Sequence, residues 1–385
     1  MATDFSRRGF LQGSALFAGA VAGSTLVPFG SAVAAGTAGT GLSYGPAPGI
    51  AKLNANENPY GPSDKALAAM AEAAARGAYY VGDSISRLIS MIAERHGVTE
   101  DYISLSAGSS GVLTYLAVAK SRDGKILGPD LFWDTTTKAA IRQGGELVRT
   151  SPTSDLGIDL DALYAAITPE VSMVQICNPN NPTGMVVDSK QLTDFCRKAS
   201  KKVTVLLDEA YNEITSDPDS NSMVKLIKEG YDVVVARTFS KIYGLAGMRV
   251  GYAIAAPETT ALIQRFGLGN YAMNQAGVAA AVASYDDMKF VSFSKSRILE
   301  AREMLVDAIT SAGLTVAPSE ASFLFVDLGD LNAESFRLEM AKRNVLIRGI
   351  YGDYTHWSRV SMGKIEDVQQ YVKALPAALD ALMRV

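Results

Sequence analysis

The chain is short of the residues that build disulfide frameworks and metal sites. Its 385 residues include two cysteines, Cys177 and Cys196, and two histidines, His96 and His356. Two cysteines are too few for a disulfide-stabilised scaffold, although a single disulfide between them stays open. No Cys/His cluster joins the histidines, so they cannot supply a multi-histidine metal site. The sequence therefore predicts no catalytic metal.

The chain also lacks any block of basic residues. Its 36 Lys and Arg residues are scattered, the formal net charge is −4 and the pI is near 5.4. Domains that bind nucleic acid gather positive charge on one face, so this distribution gives no reason to expect a nucleic acid partner. The 48% hydrophobic and 20% charged shares are typical of soluble globular chains. Length and composition favour a small-molecule enzyme with one large and one smaller domain.

Residues 1–34 have the layout of an export signal. The segment SRRGFL at 6–11 precedes an uncharged, Ala/Gly-rich apolar stretch at 14–29, and Ala32-Val33-Ala34 forms a small-x-small cleavage site. This order is typical of secretory signals, and the paired arginines resemble a twin-arginine signal. Pro28, the glycines and the small-residue exit favour cleavage over a stable membrane anchor. We therefore expect export of the folded protein by the twin-arginine machinery, to the periplasm or the outside of the cell.

Residues 35–62 predict a linker followed by an extended N-terminal arm. The linker is rich in Gly, Ala, Thr, Ser and Pro, and the arm carries a polar cluster of asparagines between prolines. Neither part shows helical or strand periodicity.

From residue 63 onward, helical periodicity alternates with short apolar runs. Helices are predicted near 63–76, 84–96, 109–120, 188–200 and 273–285, and strands near 125–128, 171–177, 203–207, 232–236 and 250–254. Uninterrupted apolar runs separated by helices predict a mostly parallel sheet covered on both faces, within a large domain at 63–286. A long helix at 287–312 then leads into a strand-strand-helix-strand-strand-helix order, which predicts a smaller α/β domain at 287–385.

Three polar clusters each follow one of the predicted strands. They are NPNNPTG at 178–184, DEAY at 208–211 and TFSK at 238–241. Ligands of open α/β sheets bind beyond the carboxyl ends of the strands. The sequence therefore predicts that the three clusters meet in one crevice.

The segment TFSKIYGLAGMRVGY, from Thr238 to Tyr252, resembles the lysine motif of class I/II aminotransferases in the fold-type-I pyridoxal-phosphate superfamily. Ser240-Lys241 is followed by Gly247-Met248-Arg249 as in that motif, and NPNNPTG and DEAY also match, most closely in the histidinol-phosphate aminotransferase branch. The resemblance runs from about Leu53 to the C-terminus. It implies an α/β fold whose large domain has a mostly parallel seven-stranded sheet, pyridoxal 5'-phosphate as cofactor, and transfer of an amino group from a small-molecule donor to a 2-oxo acid.

The resemblance implies three catalytic residues. An aldehyde cofactor needs an amine, and Lys241 would hold it as a Schiff base. The freed amine would later shuttle a proton between the substrate α-carbon and the cofactor's aldehyde carbon. Asp208 would keep the cofactor's ring nitrogen protonated. Tyr211, together with Asn181, would donate hydrogen bonds to its phenolic oxygen.

The resemblance also implies a site for the cofactor phosphate. Arg249 and Ser240 match phosphate ligands of the family, and Ser109 and Ser110 open a predicted helix, whose N-terminus attracts anions. Tyr80 is similar to a tyrosine that reaches the phosphate of the partner subunit, which implies a homodimer.

Substrate contacts are implied as well. Trp133 would stack on the cofactor ring, with Phe132 as the alternative, and Arg359 would grip the substrate carboxylate with its planar guanidinium. The remaining residues that match substrate-pocket positions are Asn54, Tyr60, Tyr271 and Arg348.

Two other functions stay open at this point. The same lysine, aspartate and asparagine would serve a decarboxylase, lyase or racemase of the same fold. A non-catalytic cofactor-binding sensor is the more remote alternative, since no DNA-binding module is visible and export does not suit a transcription factor. The branch similarity points to histidinol phosphate or an aromatic amino acid, whereas the export signal points to a role outside histidine biosynthesis.

Overall fold

The computed structural model describes residues 44–384. The predicted export signal at 1–34, with its cleavage site, and the predicted linker up to residue 43 lie outside the described residues. None of the helices within 44–384 is long and apolar enough to cross a membrane.

The described residues alternate strands and helices over their whole length. The strands are β1 (Ala51–Lys52), β2 (Ile103–Ser106), β3 (Lys125–Pro129), β4 (Leu147–Thr150), β5 (Val171–Cys177), β6 (Thr204–Asp208), β7 (Val233–Thr238), β8 (Gly251–Ile254), β9 (Thr315–Val316), β10 (Phe323–Asp327), β11 (Val345–Leu346) and β12 (Trp357–Ser361). The helices are α1 (Asp64–Ala74), α2 (Asp83–His96), α3 (Ser109–Lys120), α4 (Thr137–Ile141), α5 (Leu160–Ala165), α6 (Ser189–Ala199), α7 (Pro218–Asn221), α8 (Val224–Lys228), α9 (Pro257–Phe266), α10 (Gln275–Tyr285), α11 (Met288–Ser311), α12 (Ala333–Ala341) and α13 (Ile365–Met383).

A seven-stranded sheet forms the centre of the fold. Its order is β2-β8-β7-β6-β5-β3-β4, and β8 alone runs antiparallel to its neighbours, β2 and β7. The pairs from β7 to β4 are all parallel. The predicted mostly parallel seven-stranded sheet is therefore confirmed.

The apolar strands are buried on both faces of this sheet. Val205 and Leu207 belong to one hydrophobic cluster, whereas Leu206 between them belongs to another that includes Leu113 and Leu116 of α3. Because successive side chains of a strand point to opposite faces, a sheet covered by helices on both sides requires apolar residues at every position. This requirement explains the uninterrupted runs in the sequence.

The C-terminal elements form smaller sheets next to a long helix. β9, β10 and β12 make an antiparallel sheet, and α11 leads into it. The N-terminal arm joins this part of the chain, because β1 pairs in parallel with β11. The arm is thereby tied to the strands that precede Arg359.

The predicted elements lie within about two residues of the observed ones. The predicted long helix corresponds to α11, and the predicted strand-helix order after it matches β9 to α13. Strands β2 and β4 were not predicted, nor was the short β1 within the arm. Helix α9 and the short helices α4, α5, α7 and α8 were not predicted either. The disulfide that the sequence left open does not form here, because Cys177 and Cys196 are both free and buried. The predicted domain boundaries remain predictions.

Candidate active site

The three polar clusters open into a single cavity. Asp208 is the last residue of β6 and Thr238 the last of β7, and Asn178 follows β5 directly. Since these strands are parallel neighbours, their carboxyl ends lie side by side. The cavity has a volume of about 610 Å³.

Twelve of the fifteen predicted site residues line this cavity. They come from the arm, the start of α3, the strand ends and the C-terminal strands. They are Asn54, Ser109, Ser110, Trp133, Asn181, Asp208, Tyr211, Ser240, Lys241, Arg249, Arg348 and Arg359.

Lys241 projects an amine into the cavity. Its Nζ donates a hydrogen bond to the backbone carbonyl of Asn56 at 2.8 Å. Burial and, to a smaller extent, the nearby charge of Arg359 lower the pKa of the lysine to about 8, while Asp208 opposes the shift. More of this amine is therefore uncharged, and hence nucleophilic, near neutral pH than in an ordinary lysine.

Asp208 is a buried carboxylate at the end of the central strand, with 4% of its surface exposed. Its oxygens accept from the backbone N–H of Ala210 at 3.2 Å and lie 3.9 Å from the thiol of Cys177. Burial raises the pKa of this carboxyl to about 6, against the lowering effect of Lys241. Both of these hydrogen-bond partners are uncharged. A cation placed beside the carboxylate, such as a protonated ring nitrogen, would therefore stabilise its charge.

The start of α3 forms an anion site with Arg249. The guanidinium donates to Ser110 Oγ at 3.0 Å and lies 3.5 Å from Ser240 Oγ. Helix N-termini present free N–H groups and a positive dipole. Gly108, which precedes the helix, has φ +77 and no room for a Cβ beside the Arg249 guanidinium. These groups fit the phosphate of pyridoxal phosphate.

The backbone packs closely behind this anion site. A Cβ at Gly251 would overlap the backbone atoms of Gly108 and Ser109. Gly251 is the first residue of β8, and a side chain there would prevent β8 from approaching the turn that opens α3.

Arg359 also lines the cavity, with 7% of its surface exposed. Its Nη1 donates to Asn181 Oδ1 at 2.7 Å, and its Nη2 donates to the carbonyl of Asn54 at 3.3 Å. The buried Nε has no partner among the described residues. A guanidinium with an unused N–H fits a carboxylate or a phosphate ligand.

The structure distinguishes the two candidate aromatic residues. Trp133 lines the main cavity. Phe132 is buried and its ring centroid lies 5.5 Å from the guanidinium carbon of Arg149. The position of Trp133 is the one compatible with stacking on a ligand there.

Three predicted substrate or cofactor residues do not line the cavity. The hydroxyl of Tyr60 accepts from the backbone N–H of Ile365 at 3.1 Å, and its ring packs edge-on against Phe293. Tyr80 and Tyr271 are 84% and 79% exposed and pack edge-to-face against each other, with their ring centroids 5.7 Å apart. A single copy of the chain therefore does not bring these three residues to the site.

Sequence reasoning missed residues that the structure places in the site. Asn56 lines the cavity and donates to the hydroxyl of Tyr211 at 2.9 Å. Arg142 also lines the cavity and adds a positive charge to it. The signal for Asn56 was the polar run between two prolines in the arm, from which only Asn54 had been selected.

The titration of Lys241 generates a prediction about the apo-protein. Only the uncharged amine attacks an aldehyde, so the initial rate of pyridoxal phosphate capture should rise with pH and reach half its maximum at about pH 8. Arg359→Gln removes a charge that lowers the lysine pKa and should move the midpoint to higher pH. The measurement is the rate at which the visible absorption band of the bound cofactor appears. A wild-type midpoint near the ordinary lysine value would contradict the prediction.

Comparisons with known proteins agree with this geometry. Residues 48–375 match the family described as Aminotransferase class I and II. Histidinol-phosphate aminotransferase 1 of Dechloromonas aromatica is 37% identical over 333 residues, which cover 86% of this chain and 90% of that protein. An aromatic amino acid aminotransferase of Thermobifida fusca is 34% identical over 325 residues, which cover 84% of this chain and 89% of that protein.

A solved structure extends the agreement to three dimensions. Histidinol-phosphate aminotransferase from Sinorhizobium meliloti, in complex with pyridoxal-5'-phosphate, superposes with a TM-score of 0.80 at 27% sequence identity. The superposition covers 86% of this chain and 92% of that one. The family match over residues 48–375 includes the seven-stranded sheet and the residues that line the cavity. The chain belongs to the class I and II aminotransferase family.

Proposed function

We propose that the chain uses pyridoxal phosphate to transfer the amino group of an L-amino acid, or of a histidinol-phosphate-like amine, to a 2-oxo acid. The observation that carries this proposal is one cavity that holds an amine, a buried carboxylate, an anion site and a buried arginine. When bound, pyridoxal phosphate supplies an electron sink for negative charge on the α-carbon of an attached substrate. The residues of the chain supply binding, orientation and proton transfer.

The residues of the large sheet would hold the cofactor by its two ends. Arg249, Ser240 and the N–H groups that open α3 would bind the phosphate. Asp208 would pair with the ring nitrogen and hold a proton on it, since a buried carboxylate stabilises a neighbouring cation. Trp133 would cover one face of the ring.

Lys241 would serve twice. Its amine would hold the cofactor covalently. Once displaced by the substrate amine, it would accept the proton from the substrate α-carbon and deliver it to the carbon that was the cofactor's aldehyde carbon. The lowered pKa of Lys241, about 8, suits this role because a base works best when its pKa lies near the working pH.

Arg359 and Arg348 would select the substrate. Arg359 would bind the carboxylate of an amino acid, or the phosphate of an amine that carries one in its place. A second cavity of about 560 Å³ shares Trp133, Arg348 and Arg359 with the first and adds Tyr351 and Tyr354. It offers room for an aromatic or imidazole side chain. Such side chains occur in histidinol phosphate and in aromatic amino acids, after which the two relatives described above are named.

We further propose that the active form is a homodimer. Tyr80 and Tyr271 form an exposed aromatic pair, next to the 69% exposed Tyr79 and the 71% exposed Leu268. Aromatic patches of this kind are enriched in protein interfaces. In a dimer, a partner copy would cover this patch. Tyr80 and Tyr271 of each copy would then reach the cavity of the other copy.

We also propose that the protein acts outside the cytoplasm. The support is the sequence of residues 1–34, with its paired arginines, apolar stretch and small-residue cleavage site. Export in the folded state lets the enzyme leave with its cofactor already bound. The physiological donor is then an amine or amino acid available at that location.

The half-reaction separates transamination from the other reactions of this fold. An amino donor added without a 2-oxo acid should discharge the visible band of the holoenzyme, release the donor's oxo product and leave an aminated cofactor. Lys241→Ala should slow this conversion by about 10²-fold or more, because the proton loses its carrier. Lys190→Ala, which changes a side chain that is 86% exposed, is the control. Release of carbon dioxide in place of the oxo acid would contradict transamination.

The dimer proposal predicts the mass of the mature protein in solution. Sedimentation equilibrium should give twice the monomer mass, and Tyr271→Asp should weaken the association because it places a charge in the apolar patch. A wild-type monomer that holds its cofactor and is fully active would show that one chain builds the site alone.

The export proposal predicts where the protein is found in the cell. The wild-type protein should appear outside the cytoplasm, shortened at its N-terminus. Replacing Arg7 and Arg8 by lysines keeps the charge but removes the arginine pair, so the protein should stay in the cytoplasm at full length. Cell fractionation with mass spectrometry makes the measurement. Wild-type protein of full length in the cytoplasm would overturn the proposal.

A further inference from the structure

Five buried side chains form a chain of four hydrogen bonds that links the arm, the large sheet and β12. Arg359 Nη1 donates to Asn181 Oδ1 at 2.7 Å, and Asn181 Nδ2 donates to the Tyr211 hydroxyl at 3.4 Å. On the other side, Ser361 Oγ donates to Asn56 Oδ1 at 2.6 Å, and Asn56 Nδ2 donates to the same hydroxyl at 2.9 Å. Strand β12 joins the two ends of this chain of hydrogen bonds, because it carries both Arg359 and Ser361.

The donors around Tyr211 determine where its own proton points. Arginine can only donate, so Arg359 fixes the Asn181 amide with its oxygen toward the guanidinium and its nitrogen toward Tyr211. Asn56 supplies a second N–H to the same hydroxyl oxygen. With both lone pairs of that oxygen accepting, the remaining O–H must donate in another direction. Tyr211 lines the cavity, so the cavity is the direction left to it.

Ser361 and the arm hold Asn56 in this orientation. The Ser361 hydroxyl is fully buried and occupies Asn56 Oδ1. The backbone N–H of Ser361 donates to the carbonyl of Leu53 at 2.9 Å, which fastens the arm to β12. The backbone carbonyl of Asn56 accepts from Lys241. One arm residue therefore contacts both the reactive amine and the tyrosine.

The titratable groups that surround Tyr211 come from four elements. Asp208 belongs to β6, Cys177 to β5 and Arg359 to β12, and Lys241 follows β7 with its Nζ 5.4 Å from the tyrosine ring centroid. Burial raises the pKa of Tyr211, with the nearby Cys177 adding to the rise, while the Asn56 hydrogen bond and then the charge of Arg359 lower it. The hydroxyl therefore stays protonated as a donor.

We propose that Asn56 and Ser361 are positioning residues that hold the Tyr211 hydroxyl as a hydrogen-bond donor directed into the cavity. The inference rests on the proposed function, in which that hydroxyl meets the ring oxygen of the cofactor. Asn56 and Ser361 act through Tyr211. In the sequence, Tyr211 lies 155 residues from Asn56 and Ser361 lies 305 residues from it. The arm thereby contributes to the electrostatics of the cofactor as well as to the shape of the site.

The test is a double-mutant cycle read by the pH titration of the holoenzyme's visible band. A donor to the negatively charged ring oxygen stabilises the deprotonated chromophore, so weakening that donor raises the pKa of the chromophore. Asn56→Leu, which is uncharged and of similar size, should raise it by up to about one unit, and Ser361→Ala should raise it less. In a Tyr211→Phe background, which has a raised chromophore pKa of its own, neither substitution should add a further rise.

Asn58→Leu is the matched control. Asn58 is buried in the same arm, where it donates to the carbonyl of Ile242 at 2.8 Å and to Ser294 Oγ at 2.9 Å, without a hydrogen bond to Tyr211. It should lower the melting temperature and leave the chromophore pKa unchanged. The proposal is overturned if Asn56→Leu and Ser361→Ala leave the chromophore pKa unchanged, or if their shifts persist in the Tyr211→Phe background. If Asn56→Leu does not fold, Ser361→Ala decides. A wild-type protein with no visible band in pyridoxal phosphate would instead refute the proposed function.

Discussion

The chemistry of this site depends on ionisable groups that are kept out of water at the carboxyl ends of three parallel strands. Burial raises the pKa of Asp208 to about 6 and lowers that of Lys241 to about 8. Both shifts have the same cause, since desolvation disfavours the charged form of each group. The lysine gains a nucleophilic fraction near neutral pH, and the carboxylate gains a strong attraction for a cationic ring nitrogen. Water at these strand ends would remove both effects.

A buried ion pair between Glu209 and Arg237 lies next to Asp208. Glu209 follows Asp208 directly, and Arg237 Nη2 donates to it at 2.7 Å, with Ser222 and the N–H of Met223 as further donors. An unpaired buried carboxylate is costly, so Arg237 and the other donors stabilise the buried Glu209 side chain. The pair also links the ends of β6 and β7, which carry Asp208 and lead to Lys241. The site is therefore held by polar contacts between strand ends as well as by packing.

Motifs at strand ends could be predicted from the sequence because residue type and local spacing determine them. Asp208, Lys241 and Arg249 were assigned through short segments, and parallel strands brought them together as expected. Strand β2 was missed because two of the four residues in ISLS are serines, although all four are buried, so the apolar run is interrupted. Strand β4 was missed because LVRT carries two polar residues and is only partly buried at the edge of the sheet. Asn56 was missed because its partners are remote in sequence and an irregular arm has no periodicity. The roles of Tyr80 and Tyr271 depend on the surface that covers their exposed rings, and a single copy of the chain does not contain that surface.

The central claim is that the amine of Lys241 forms a covalent bond with pyridoxal phosphate. The most direct measurement is to incubate the purified protein with the cofactor, reduce the complex with borohydride, digest it and map the modified peptide by mass spectrometry. We expect one phosphopyridoxyl group per chain, attached to Lys241. A protein that stays colourless, or an adduct on another lysine while Lys241 remains unmodified, would contradict this assignment.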